Sequence, residues 1–66
     1  MEVILSARLP DGTRITRKEQ ISVFPTKGLH LELLVNEVWH EFKITEVEDV
    51  ADSFFVNLTY LNPVQA

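Results

Sequence analysis

The sequence predicts an all-β chain: a single small five-stranded antiparallel barrel or strongly curled sheet, with one short helical turn near residues 48–52. Three observations predict it. Apolar residues alternate with a period near two over most of the 66 residues, the pattern of strands with one buried face. β-Branched and aromatic residues are frequent, and these suit a pleated, half-buried surface. The 2 Gly and 3 Pro fall between the alternating runs, where the chain must turn.

The first strand is expected over Glu2–Leu9, with Val3, Leu5, Ala7 and Leu9 on one face. Pro10-Asp11-Gly12 then supplies a preset φ and a left-handed position, a strong hairpin signal. The return strand, about Arg14 to Phe24, alternates poorly, because Arg17 and Glu19 interrupt the parity of Ile15, Ile21 and Val23. Its segment Arg17-Lys18-Glu19-Gln20 is expected to be exposed, bulged or at an edge. After the break at Phe24-Pro25-Thr26-Lys27-Gly28, a third strand over Leu29–Val35 turns at Asn36-Glu37 into a fourth over Val38–Val47. Closing this hairpin at Val35/Val38 pairs Leu33 with His40, Leu31 with Phe42 and Leu29 with Ile44. Every inward residue then meets another, and a one-residue slip would mix the faces. In the acidic stretch that follows, Val47, Val50, Ala51 and Phe54 have helical spacing, hence the expected turn of helix. The fifth strand is expected over Phe54–Leu61, ending at Asn62-Pro63. Residues 1–62 thus form one domain and 63–66 a loose tail.

This order of hairpin, long connection, tight hairpin, short turn and closing strand resembles the small Src-homology-3-like barrel. The resemblance covers the whole chain but is one of topology. No family motif accompanies it, so it implies no binding residues. A half-open sheet without closure is the alternative, and a fold of this size does not select a function.

Composition excludes several classes. The absence of cysteine removes disulfides, thiol nucleophiles and Cys-based metal sites. There is no apolar run long enough for a membrane helix and no signal-peptide pattern, so a cytoplasmic protein is expected. A domain of this size has a thin stability margin, which association with another chain commonly widens.

The chemistry-bearing residues do not converge. The hairpin register puts His30 and His40 on opposite faces, so they cannot share a metal. Ser6, Ser22 and Ser53 lie in no nucleophile elbow, and Gly12 and Gly28 are too far apart for a phosphate loop. Glu32 and Glu41 face each other in the open, whereas catalytic pairs are usually separated in pKa by burial. The acidic run Glu46–Asp52 lacks calcium-loop spacing. No enzyme activity, cofactor, metal or small-molecule substrate is expected.

Two features remain. Residues 1–28 carry +2 and residues 29–66 carry −6 of the total −4, an asymmetry able to orient a partner. Leu34 and Trp39 form a cross-strand pair on the non-core face. If the fourth and fifth strands pair through Glu46/Phe54, Leu61 joins them and Phe55 extends the surface. This is either a contact surface or a second core. The function expected is therefore a non-catalytic, accessory or inhibitory protein-interaction module. It binds another protein or itself through Leu34, Trp39, Phe55 and Leu61. The alternative is nucleic-acid binding, RNA in particular, through Arg8, Arg14, Arg17 and Lys18, which the acidic remainder disfavours and which has no interleaved aromatics for stacking.

Overall fold

The computed structural model describes residues 1–64. It is all-β, with strands β1 (Glu2–Arg8), β2 (Arg14–Gln20), β3 (His30–Val35), β4 (Val38–Val50) and β5 (Ser53–Pro63). They form one sheet in the order β2-β1-β5-β4-β3. The sheet is a strongly curled half-barrel, consistent with a small Src-homology-3-like barrel. Three pairings are antiparallel, as expected. The β1–β5 pairing, from Val3↔Phe54 to Ser6↔Asn57, is parallel and corrects the all-antiparallel expectation. The reason is topological: strand direction alternates along the chain, so the first and last of five strands point the same way.

The β1–β2 register runs without a bulge from Glu2↔Gln20 to Arg8↔Arg14. Its turn is closed by Gly12 N–H donating to Leu9 C=O at 2.9 Å and Thr13 N–H donating to the Asp11 carboxylate at 2.9 Å. Gly12 takes the left-handed φ of 91°. The Thr13 hydrogen bonds hold the Asp11 carboxyl below the usual carboxylate range. That contribution is therefore present above the usual carboxylate range and is lost as pH falls through the lowered value. The β3–β4 hairpin has the predicted register throughout, from His30↔Lys43 to Val35↔Val38. Asn36 and Glu37 both have positive φ, 50° and 69°, the requirement of a two-residue turn of the primed type.

The expected helical turn near 48–52 is absent. Strand β4 continues to Val50 and reverses through Ala51-Asp52, with Ala51 at φ 54°. A single turn of helix gains too few hydrogen bonds to offset its nucleation, whereas the extended chain pairs Val47 with Val56 and Asp49 with Phe54. Because the turn moves, the β4–β5 register differs from the expected one: Glu46 faces Asn57 rather than Phe54. Strand β5 also outlasts its expected end. His40 pairs with Pro63, and Val64 N–H donates to Trp39 C=O at 2.8 Å, so these two residues are not a loose tail. Residues 65–66 lie outside the described residues.

Thirteen residues of straight β4 would span about 40 Å, yet the longest dimension of the molecule is 34 Å. The long hairpin bends instead, with register shifts between Glu41 and Phe42 and between Ile44 and Glu46. The extra residues are Leu61 on β5 and Thr45 on β4, and bulges of this kind increase local twist. Curling brings one sheet face around Val3, Leu5, Ala7, Leu33, Phe42, Ile44, Val56 and Leu58. The β2–β3 connection closes one end. Pro25 is fully buried, Phe24 sets its edge against Phe54 at 5.1 Å, and Ile44 N–H donates to Leu29 C=O at 2.8 Å.

Two stability predictions follow from this packing. Phe42→Ala, at a fully buried position, should lower unfolding free energy by about 3–5 kcal/mol in urea titration. Glu37→Gly should raise it by about 0.5–1 kcal/mol, because glycine accepts the left-handed φ that Glu37 adopts.

Candidate functional site

Strands β2 and β3 are the two edges of the sheet, and no Cα of one lies within 8 Å of a Cα of the other. Neighbouring paired strands are about 4.8 Å apart, so the barrel is open along this seam. A groove of about 300 Å³ occupies it. Its apolar lining is Leu5, Ile21, Leu31 and Leu33, with Arg17 and Glu19 on the β2 side and Glu32, Leu34 and Trp39 on the β3–β4 side.

The break in alternation along β2 now has a structural cause. Arg17 and Glu19 share the parity of Ile15 and sit opposite Leu5 and Val3. They are half-buried and turn toward the groove rather than into the core. Inward-pointing charges are one way an edge strand resists indiscriminate pairing. Neither charge has an ion-pair partner among the described residues, where the one pair is His30 Nδ1 with Glu41 Oε2 at 3.0 Å.

Leu34 and Trp39 are cross-strand neighbours, 43% and 49% exposed, so no second core covers them. Val38, beside them at the hairpin tip, is also exposed. Leu61 is exposed too, but it is the unpaired bulge residue, and the backbone opposite Trp39 belongs to Val64. Phe55 is half-buried at the other end of β5, opposite Glu48 and beside Ile4. The structure thus brings Leu34 and Trp39 together and does not align Leu61 or Phe55 with them. The expected contiguity failed because it depended on the Glu46/Phe54 register.

The basic residues are divided between faces. Arg8 and Arg14 sit opposite each other, Lys18 sits opposite Ile4 on the same side, and Arg17 lies out of phase toward the groove. The Arg14 Nη1 donates to Ser6 Oγ at 3.3 Å. Glu32 and Glu41 face each other as expected, but both Glu41 oxygens are engaged, one by His30 and the other by Asn62 Nδ2 at 3.1 Å.

His40 is half-buried near the β3–β4 turn. Its Nδ1 is 3.0 Å from the Tyr60 hydroxyl, and the two rings lie 5.4 Å apart, with Phe42 edge-on to Tyr60 at 5.5 Å. A shallow pocket beside them is lined by Leu9, Pro10, Asp11, Val35, Asn36 and Val38. This is a packed polar pair closing one end of the core. Among the described residues no three metal-ligating side chains cluster, and no helix is long and apolar enough to cross a membrane.

Tyr60→Phe should cost about 0.5–1.5 kcal/mol, the range for one intramolecular hydrogen bond, measured by denaturant titration with the Trp39 signal as reporter. No protein-family model matches the sequence, and neither a curated protein nor a solved structure matches it significantly.

Proposed function

We propose that the chain is a non-catalytic protein-interaction module whose contact face is the Leu34–Trp39 pair and the groove rim beside it. The observation that carries this reading is the exposure of Trp39, 49% accessible next to a 43% exposed Leu34. Tryptophan is the side chain most enriched at binding hot spots, and clustered apolar exposure marks contact surfaces. Its partner is another protein or a second copy of the chain. A cytoplasmic setting belongs to the same proposal. A phosphate-tracking role for Arg8, Arg14, Arg17 and Lys18 has less support, since the four do not share one face.

Trp39→Ala tests the reading. The variant should remain folded, with stability within about 0.5 kcal/mol of the parent, as expected for an exposed position. It should lose the self-association or the partner that light scattering and affinity capture find with the parent chain. Unfolding of the variant would place Trp39 in the core. Equal mass and equal capture for both chains would also contradict the proposal.

A further inference from the structure

We infer that the seam between β2 and β3 is a receptor for an extended peptide segment, which binds as a sixth strand and completes the barrel. This rests on the protein-interaction reading above and names the chemistry of the partner.

Backbone hydrogen bonding identifies the groups that such a segment would meet. Met1 and Ile21 exchange both backbone bonds, at 2.8 and 3.1 Å. Hydrogen-bonded pairs alternate along an antiparallel ladder, so Glu19, Arg17 and Ile15 also point their N–H and C=O groups at β1. The intervening Thr16, Lys18 and Gln20 then point theirs away from β1, into the seam. On the other side, Ile44 N–H donates to Leu29 C=O. The alternation assigns Leu31, Leu33 and Val35 to β4 and leaves His30, Glu32 and Leu34 directed outward. Both edges therefore offer main-chain donors and acceptors at every second residue, the requirement for recognition by strand addition.

The dimensions leave room for an inserted strand. The edges are separated by more than one strand spacing, and residues of both line the same groove of about 300 Å³. A standard protein–protein interface takes roughly 800 Å² from each partner, about a fifth of the 4526 Å² surface of this chain. The groove is lined by ten residues, fewer than the roughly 20–30 that each side of such an interface supplies. It admits an extended backbone, whose alternate side chains lie over Leu31 and Leu33 on the β3 side and leave the half-buried Arg17 and Glu19 on the β2 side in contact with water. Charge narrows the chemistry further. The lining carries Glu19, Glu32 and Arg17, one net negative charge, within a chain of net −4. The complementary segment is apolar at the alternate positions over Leu31 and Leu33 and carries a basic residue at the outward position beside Glu32.

The test uses the full chain and a seven-residue peptide alternating Val and Lys, capped at both ends. Three controls accompany it: the same peptide N-methylated at alternate residues, one with Glu for Lys, and the chain variant Glu32→Lys. Amide hydrogen exchange and chemical shifts are read residue by residue. Peptide binding should slow exchange at least tenfold at Thr16, Lys18, Gln20, His30, Glu32 and Leu34, and shift Trp39 emission to the blue. It should be lost on N-methylation and weakened by the Glu peptide and by Glu32→Lys. Shifts confined to Leu34 and Trp39, with no edge protection, would overturn the seam proposal and leave the interaction reading standing. Edge protection that rises with protein concentration and needs no peptide would make a second copy the occupant and overturn it. No response at millimolar peptide would overturn it as well, and the Trp39→Ala comparison would then decide the broader reading on its own.

Discussion

A single sheet without a covering layer can bury its apolar face only against itself. That constraint governs this chain. Among the described residues, five strands and no helix leave curling as the route to a core, and the long β4–β5 hairpin carries the curl. Its β4 strand is too long to lie straight within the molecule. Two register shifts, at Leu61 and Thr45, bend it so that β3 packs along its first half while β1 lies beside the first part of β5. Phe42 and Ile44 sit between these shifts and are fully buried, which places the best-packed part of the core at the bend.

The same curl leaves the two edges facing each other across an unclosed seam. Closing it would require β2 to present apolar side chains inward along its length. Beyond Ile15 it presents Arg17 and Glu19, whose desolvation in a dry core without partners would cost several kcal/mol. The charges thus keep the barrel open and discourage random edge pairing. They also give the groove a chemistry. Leu34 and Trp39 stand at its opposite rim, held by a turn whose second residue adopts a backbone conformation unfavourable to it. Openness, edge charge and exposed tryptophan belong to one arrangement, and the proposed function is built on all three.

Much of this fold was legible in the residues. The β3–β4 register could be read because both strands alternate cleanly and a slip would expose Leu31, Leu33 and Phe42 together. The Pro10-Asp11-Gly12 turn was legible from its φ requirements. The β4–β5 register was not. It depended on where the chain reverses, and in the acidic segment 46–52 the apolar residues Val47, Val50 and Ala51 have helical spacing while Asp49 breaks the strand alternation. The decision comes from cross-strand partners such as Val56, distant in sequence. The displaced turn then separated Leu61 and Phe55 from Trp39. The irregular pattern of β2 did signal an edge, but no local feature says which other edge lies opposite. The groove was therefore invisible until the strand order was known.

The most direct test of the open half-barrel is the set of cross-strand proton contacts measured by NMR on the free chain. The open half-barrel gives contacts across β1/β2, β1/β5, β5/β4 and β4/β3, and none between β2 and β3. It also gives slow amide exchange at Arg17 and Glu19 with fast exchange at Thr16 and Lys18. Contacts linking residues 14–20 to residues 30–35, with protection at Thr16 and Lys18, would mean that the barrel closes on itself and that no seam exists.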